Sequence, residues 1–524
     1  MTKLSDLLGK LDYTCIQGST DIDISAVVYD SRKVSSGCMF ICIVGANSDG
    51  HDYIPDVIEK GTSCLIVSKE LSDIPSLKKD DDPEAVCSIP DTVTVIKVED
   101  TRYAMAFISA VWFDNPADKL TVIGITGTKG KTTTTYLVRS VLEHSGLKCG
   151  LIGTIEIIIG EEHIHADNTT PESYLIQEYF SRMAAAGITH VVMEVSSQGL
   201  MLHRTQGFIF DIGIFTNLEP DHIGPNEHKD LDDYIRCKSL LFKQCRHGIF
   251  NADAEHLNRI LEGHTCDVLT YGVAEEDKPG VSARPTPDKP GALVRPTPDI
   301  TAKNITLINR PGILGVEFDV CGLVNTHITL PTPGYFSVYN ALCAISICHV
   351  LNIPDDVMQE GFTNARVKGR VEPVHVSDDY TLLIDYAHNA MALESLLTTL
   401  KAYEPGRLVC LFGCGGNRSK LRRFEMGEVS GKLADLTIIT SDNPRNEEPQ
   451  DIINDIKTGI SKTDGKFVEI ADRKEAIRYS IENALPGDII VLAGKGHEDY
   501  QEIRGVKYPM DERDLIADIM KELK

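Results

Sequence analysis

With 524 residues the chain is about three times a typical domain, so one buried core cannot serve it, and three domains are expected. It is 42% hydrophobic and 25% charged, and no apolar run reaches the roughly 20 residues of a membrane helix, which excludes a membrane protein, a coiled coil and a disordered chain. Lys plus Arg total 52 against 77 Asp plus Glu, a net charge of −25; so acidic a surface repels a phosphate backbone, and no nucleic-acid partner is expected, although a locally basic cleft still suits a phosphorylated small substrate.

The N-terminal MTKLSDLLGKLDYTC has neither an apolar export core nor a small-residue cleavage site, so a cytoplasmic location is expected. Short strands in VVYDS, CMFICIVG and SCLIVS predict an N-terminal α/β domain over 1–119. Residues 69–92, with the run KKDDDPE, read as a linker or surface insertion. Next, LTVIGITG (120–127) is a β-branched run ending in glycine, and the following TKGKTTTTYLVRSVLEHSG predicts a helix closed by Gly146. The apolar runs HVVMEVS (190–196) and DIGIFTN (211–217) suit a buried parallel sheet. RPTPD occurs at 284–288 and again at 295–299, so 273–300 reads as a solvated loop in a central domain of 120–369. From 370 to 524 the rhythm restarts with TLLIDYAH, ALESLLTTLKAY, RLVCLFGCGG, LTIITSDNPR and DIIVLAGKGHE, a third α/β domain. Its polar residues fall past the carboxyl ends of the strands, where open α/β sheets bind ligands. The fourteen Cys form no CxxC pair and many sit in runs such as ALCAISICHV, so reduced core thiols are expected rather than disulfides or a zinc site.

GTKGKTTT (127–134) follows a strand and opens a helix, as a phosphate cradle does. Backbone N–H groups of Gly127, Thr128, Lys129 and Gly130 can approach anionic oxygens, Lys131 can reach the terminal phosphates, and the hydroxyls of Thr132 and Thr133 face the same end. The strict GxxxxGK[ST] pattern is not met, because Ile125 stands five before Gly130. An ATP or GTP site is nonetheless expected.

GITGTKGKTTT also resembles the phosphate loop of the Mur ligases, the ATP-dependent amino-acid-adding enzymes of peptidoglycan precursor synthesis. The resemblance runs on through YDSRKVSSGCMFICIVGANSDGHDYI, DNTTPES, MEVSSQGLMLHR, FTNLEPDHIG, YIRCKSLLF, GRVEP, DYAH, GCGGNRSK, SDNPRNEEP and GKGHEDYQ. Their order is similar to that of the members adding the third residue of the stem peptide, and DNPR with GKGHEDYQ is similar to the type that adds meso-diaminopimelate. The resemblance implies a UDP-substrate domain, a P-loop ATPase core with a mostly parallel sheet, and a Rossmann-like amino-acid domain. It implies γ-phosphoryl transfer from ATP to the D-glutamate carboxylate of UDP-MurNAc-L-Ala-D-Glu, then amine attack on the acyl phosphate.

Residue by residue, the resemblance assigns Mg²⁺ to Thr132 and Glu194, and a second ion to His222 and to Lys238 carrying a CO₂-derived carbamate. An ammonium cannot ligate a metal, whereas a carbamate can. Ser31, Arg32 and Asn47 would hold the uridine diphosphate end; Asn168, Thr169, Thr170, Ser196 and Arg204 the sugar and peptide. Asn340, Arg370, Asp385, Tyr386 and His388 would meet ATP. Arg418, Asp442, Asn443, Pro444, Arg445, Gly494 and Glu498 would form the amino-acid pocket, with Arg445 suited to the distal carboxylate and Glu498 to the distal ammonium. A monomer acting on small molecules, with no membrane partner, is expected.

Three places depart from the family pattern: Asn389, Ala390 and Met391 after DYAH, Leu202 in place of an expected Gln, and DHIGPNEHKD. The alternatives are the same reaction with lysine or another amino acid, a folylpolyglutamate-type ligase, and a nucleotide-binding regulator that does not ligate. The first 119 residues with DSR count against the folylpolyglutamate type, and Glu194, Lys238 and His222 as a set count against the regulator.

Overall fold

The computed structural model describes residues 2–45, 48–79, 82–86, 89–221, 223–224, 227–278, 297–310 and 313–523. They fall into two compact units, Met1–Lys131 with Gly146–Leu269, and Thr132–Ser145 with Thr270–Lys524.

In the first unit the N-terminal strands lie in the order Thr14–Gln17, Thr94–Lys97, Cys64–Val67, Met39–Ile41, Val27–Val28. All pair in parallel except the Thr14–Gln17 edge. Alternation along the strands feeds two cores: Met39, Ile41, Cys64 and Ile66 on one face, Phe40, Leu65, Val67 and Val95 on the other. The helix Thr101–Trp112 starts at Asp100, whose carboxylate accepts from Arg102 N and Tyr103 N. The described part of the charged stretch 69–92 carries a short hairpin and apolar anchors. Lys78–Lys79 pairs antiparallel with Asp82–Val86, and Ile74, Leu77 and Ile89 dock into the second core. Apolar residues spaced among the charges anchor it.

The second sheet of this unit holds seven strands in the order Glu162–His165, Glu156–Ile159, Cys149–Ile152, His190–Glu194, Thr121–Thr126, Phe210–Phe215, Cys245–Asn251. At its centre β1 (Thr121–Thr126) runs parallel to both β2 (His190–Glu194) and β3 (Phe210–Phe215), in register Ile125↔Glu194 and Thr126↔Phe215. Three carboxyl ends therefore come level. The turn after β1 leads into α1 (Lys131–His144), which gives way to Gly146 in the left-handed region, φ +84°. Further on, α2 (Leu231–Ser239) buries Tyr234, Ile235 and Lys238.

In the second unit, Ile300–Arg310, Ile313–Gly322 and Thr326–Leu330 form an antiparallel meander. The 279–296 part of the predicted solvated loop lies outside the described residues. The end of its second repeat is tied down, because Asp299 accepts from Thr270 N and Oγ1. The helix α3 (Tyr335–Val350) is apolar all round and buried along most of its length. The C-terminal sheet runs Glu372–Val374, β4 (Thr381–Asp385), β7 (Ile489–Ala493), β5 (Leu408–Phe412), β6 (Leu436–Ile439), Phe467–Glu469. It is parallel apart from the Glu372–Val374 edge. No helix of the described residues is long and apolar enough to cross a membrane. Of the thirteen described cysteines only Cys15 is exposed and none is bridged.

Candidate functional site

The turn after β1 is fixed by the loop after β3. Asn217 accepts from Lys129 N at 2.8 Å and donates to Lys129 O at 3.0 Å, and the Thr216 hydroxyl donates to the same carbonyl at 2.8 Å. Glu219 pairs with Lys129 Nζ at 2.6 Å, and the Thr128 hydroxyl lies 3.1 Å from the Tyr234 hydroxyl of α2. Gly127 has φ +150°, and a Cβ there would lie 1.9 Å from Thr216 Oγ1, so only glycine fits. Gly127→Ala is therefore expected to deform the cradle, at a backbone cost of about 1–3 kcal/mol before the clash is counted. A lowered melting temperature together with lost nucleotide affinity would register it.

Two lysines converge on one atom of this turn. Lys131 Nζ donates to Gly127 O at 2.9 Å and to Thr128 O at 3.1 Å, and Lys238 Nζ donates to Gly127 O at 3.0 Å. Lys238 is 1% exposed, with its amine 4.6 Å from the centre of the Tyr234 ring one helical turn earlier. Burial first, and the neighbouring Lys131 charge second, push its ammonium well below the usual lysine range. The Lys238 amine is thus buried, and its protonated form disfavoured, beside the glycine turn after β1.

At the end of β2 the carboxylate of Glu194, 1% exposed, accepts from Thr154 N at 2.8 Å and from Thr154 Oγ1 at 3.0 Å. A buried carboxylate at the end of a strand is a donor of the kind that hard divalent cations take. The Thr154 hydroxyl lies 3.0 Å from that of Thr169, Thr170 Oγ1 donates to Glu194 O and accepts from Ser196 N, and Ser196 caps the helix Ser197–Met201. Arg204 donates to Thr170 O at 2.9 Å and shares Glu172 with Arg102. Thr169, Thr170, Ser196 and Arg204 thus gather around Glu194. Asn168 is exposed on the same segment. Arg32 folds back onto Asp30, holding that carboxyl down at about 2, and Lys60 donates to Ser31 O. Asn47 and His222 lie outside the described residues.

In the second unit, Thr132 and Thr133 begin α1, and Asn340 of α3 accepts from Thr134 at 3.3 Å. Beyond β4, Asp385 accepts from Val371 N and Ala387 N; burial pushes its carboxyl up against the pull of Arg370. Tyr386 centres a stack, with Arg370 over its ring at 5.0 Å and the His388 and His497 rings at 4.7 and 4.6 Å. The Arg370 Nε is buried without a partner among the described residues. Gly494 after β7 donates to Asp385 O and lies against Asp442.

The turn after β6 packs on the turn after β5. Arg423, 1% exposed, grips Glu447 with two bonds of 2.8 Å and Asp455 at 2.9 Å, holding the Glu447 carboxyl down at about 2. Arg445, at φ +51°, donates from Nε to Glu502 and from Nη1 to Gly416 O, both at 2.9 Å. Asn443 donates to Glu498 at 2.9 Å, Asp442 accepts from Asn443 N, and Pro444 packs so tightly on Gly416 that a Cβ there would lie 1.8 Å from the Pro444 carbonyl. Arg418 is exposed at the rim.

The chain matches the Mur ligase family catalytic domain over 23–112, the Mur ligase middle domain over 125–348 and the Mur ligase glutamate ligase domain over 369–496. It is 41% identical over 522 residues, 99% of each chain, to the UDP-N-acetylmuramoyl-L-alanyl-D-glutamate--2,6-diaminopimelate ligase of Caldanaerobacter subterraneus. The chain belongs to the Mur ligase family. A Mur ligase of Clostridium acetobutylicum with the same name and the suffix 1 is 40% identical over 526 residues, covering 99% of this chain and all of that one. A solved structure titled for the same ligase activity shares the fold, with a TM-score of 0.70 at 24% identity over 100% of this chain and 99% of that one.

The departures from the Mur ligase pattern have structural accounts. Asn389 accepts from Ala392 N at 2.9 Å and so caps the helix Ala390–Lys401. In DHIGPNEHKD, His228 is fully buried between the Ser197 hydroxyl at 2.8 Å and Asp233 at 3.1 Å, pinning α2. Leu202 merely ends the helix Ser197–Met201. Asn217, Tyr234, Arg102, Glu172 and Lys495 were not singled out from the sequence. Only Tyr234, four residues before Lys238, and Lys495, inside GKGHE, carried a signal.

Proposed function

We propose that this Mur ligase adds meso-diaminopimelate to UDP-MurNAc-L-Ala-D-Glu at the expense of ATP, through three functional segments, 1–119, 120–369 and 370–524. The observation that carries the reading is the meeting of Lys131 and Lys238 on the Gly127 carbonyl beside a glycine-locked turn. Lys131 so placed neutralises charge on a transferring phosphoryl group, which is most of what such a reaction requires. The D-glutamate carboxylate attacks the γ-phosphorus, the bond to ADP breaks, and the amine then attacks the acyl carbon, losing a proton as phosphate leaves. Asn340, Arg370 and His388 are assigned to the nucleoside end of ATP. Thr169, Thr170, Ser196 and Arg204 orient the acceptor peptide, with Ser31, Arg32, Asn47 and Asn168 further along it.

Magnesium, when bound, would supply charge neutralisation at the phosphates; Glu194 and the Thr132 hydroxyl would hold it, and His222 with a carbamate on Lys238 would hold a second ion. The burial of Lys238 supports the carbamate: the neutral amine attacks CO₂, forms an N–C bond and releases one proton. Isotope-labelled bicarbonate is expected to give a carbamate carbon signal that Lys238→Ala abolishes. That variant should lose about 10²-fold in kcat, and a short carboxylate should restore part of it. An unchanged rate in the variant and in CO₂-depleted buffer would remove the carbamate. The test of the whole reading is product mass after incubation with ATP, the UDP-dipeptide and a panel of amino acids. A product heavier by anything other than diaminopimelate minus water would overturn the acceptor.

A further inference from the structure

Lys495 is completely buried inside the GKGHE turn, an environment that charges leave unless they are paired. Its ammonium donates to Glu498 Oε2 at 2.8 Å and to Asn443 Oδ1 at 3.1 Å, and lies 5.1 Å from the centre of the Tyr500 ring. Asn443 Nδ2 donates to the same Glu498 oxygen at 2.9 Å, and Asn443 Oδ1 also accepts from Glu502 N at 2.8 Å. One buried cation thus ties the turn after β7 to the turn after β6. It also fixes which oxygen of Glu498 is spent: Oε2 takes two donors, and among the described residues no hydrogen bond falls on Oε1.

The charge balance gives this clip a second consequence. Lys495 pairs with Glu498 and Arg445 with Glu502, so the two ion pairs that join these turns are each neutral. Meso-diaminopimelate, with two ammonium and two carboxylate groups, is neutral as well, whereas lysine carries a net positive charge. Without Lys495 the same pocket would be net negative and would attract the extra cation of lysine.

We propose that Lys495 is a positioning residue that sets amino-acid preference: it holds Glu498 in one orientation and supplies the positive charge that keeps the pocket matched to a neutral diamino dicarboxylate. The inference rests on the meso-diaminopimelate reading above. Buried Met in place of Lys keeps the volume, and Asn443 and Glu498 retain each other, so the turn has the means to stay folded; Lys495→Gln is a second neutral variant that keeps a hydrogen-bonding end.

The experiment measures kcat and KM for meso-diaminopimelate and for lysine in wild type, Lys495→Met, Lys495→Gln and Lys495→Arg. A unit charge removed at roughly 6 Å in a partly screened site changes binding by about 10- to 100-fold. Both neutral variants are therefore expected to lower the kcat/KM ratio of meso-diaminopimelate to lysine by that factor, through a lower KM for lysine and a higher one for meso-diaminopimelate, while Lys495→Arg stays near wild type. Equal losses for both amino acids would make Lys495 a structural clip and overturn the proposal, as would an arginine variant that behaves like the neutral ones. A wild type that does not prefer meso-diaminopimelate would overturn the underlying reading, a result distinguishable from either.

Discussion

Lys131→Ala is expected to lower kcat by about 10³-fold or more while leaving the melting temperature near that of wild type. Lys131 Nζ rests on two carbonyls of its own turn, Gly127 O and Thr128 O, and a triphosphate offers it far better acceptors. Removing one preorganised donor from developing charge costs about 10²–10³-fold, and a full cation at a transferring phosphoryl group stands at or above the top of that range. The cradle itself should survive, since Asn217, Thr216 and Glu219 hold Lys129 and Thr128 without help from Lys131. Phosphate release and product mass, read beside thermal unfolding, check both halves. Near-normal turnover would remove the turn from the mechanism.

Arg445→Ala should produce the second large effect, on selectivity rather than on phosphoryl transfer. With Nε on Glu502 and Nη1 on Gly416 O, the guanidinium is held in one plane. A planar fork so held suits the distal carboxylate of meso-diaminopimelate, and lysine would leave it without that partner. Sites built on such polar contacts reject analogues lacking them by roughly 10⁴-fold, so wild type is expected to discriminate at that level and the variant to lose most of it. Both Arg and Ala are L-residues at φ +51°, so the backbone strain at this position is common to the two proteins. The ratio of kcat/KM for the two amino acids decides the matter. An unchanged ratio would reduce DNPR to the helix-entry turn that Arg423 and Glu447 already make of it.

Both predictions concern residues visible in the sequence, and so did most of the fold. LTVIGITG, HVVMEVS and DIGIFTN read as buried parallel strands because continuous β-branched runs have one comfortable environment, and they form β1, β2 and β3. Gly127 and Gly146 marked a tight turn and a helix end for the same local reason: each needs a backbone conformation that glycine tolerates best. In 69–92 the sparse apolar residues Ile74, Leu77 and Ile89, which the charges around them hide in a composition count, reach the core.

What a linear pattern could not carry was the pairing of charges across turns. Lys238 reads as one more lysine on an amphipathic helix, and its burial depends on where α2 lies against the turn after β1. Glu498 reads as an open carboxylate, yet Lys495 and Asn443 already occupy one of its oxygens. Arg445 and Glu502, fifty-seven positions apart, become partners only when the strand Tyr500–Ile503 lies against the turn after β6. Backbone conformation and hydrophobic periodicity act over a few residues and are legible in order along the chain. Desolvation and ion pairing depend on distances between remote segments, so the tertiary structure alone decides which of these charges is buried, which is satisfied, and which is left for a substrate.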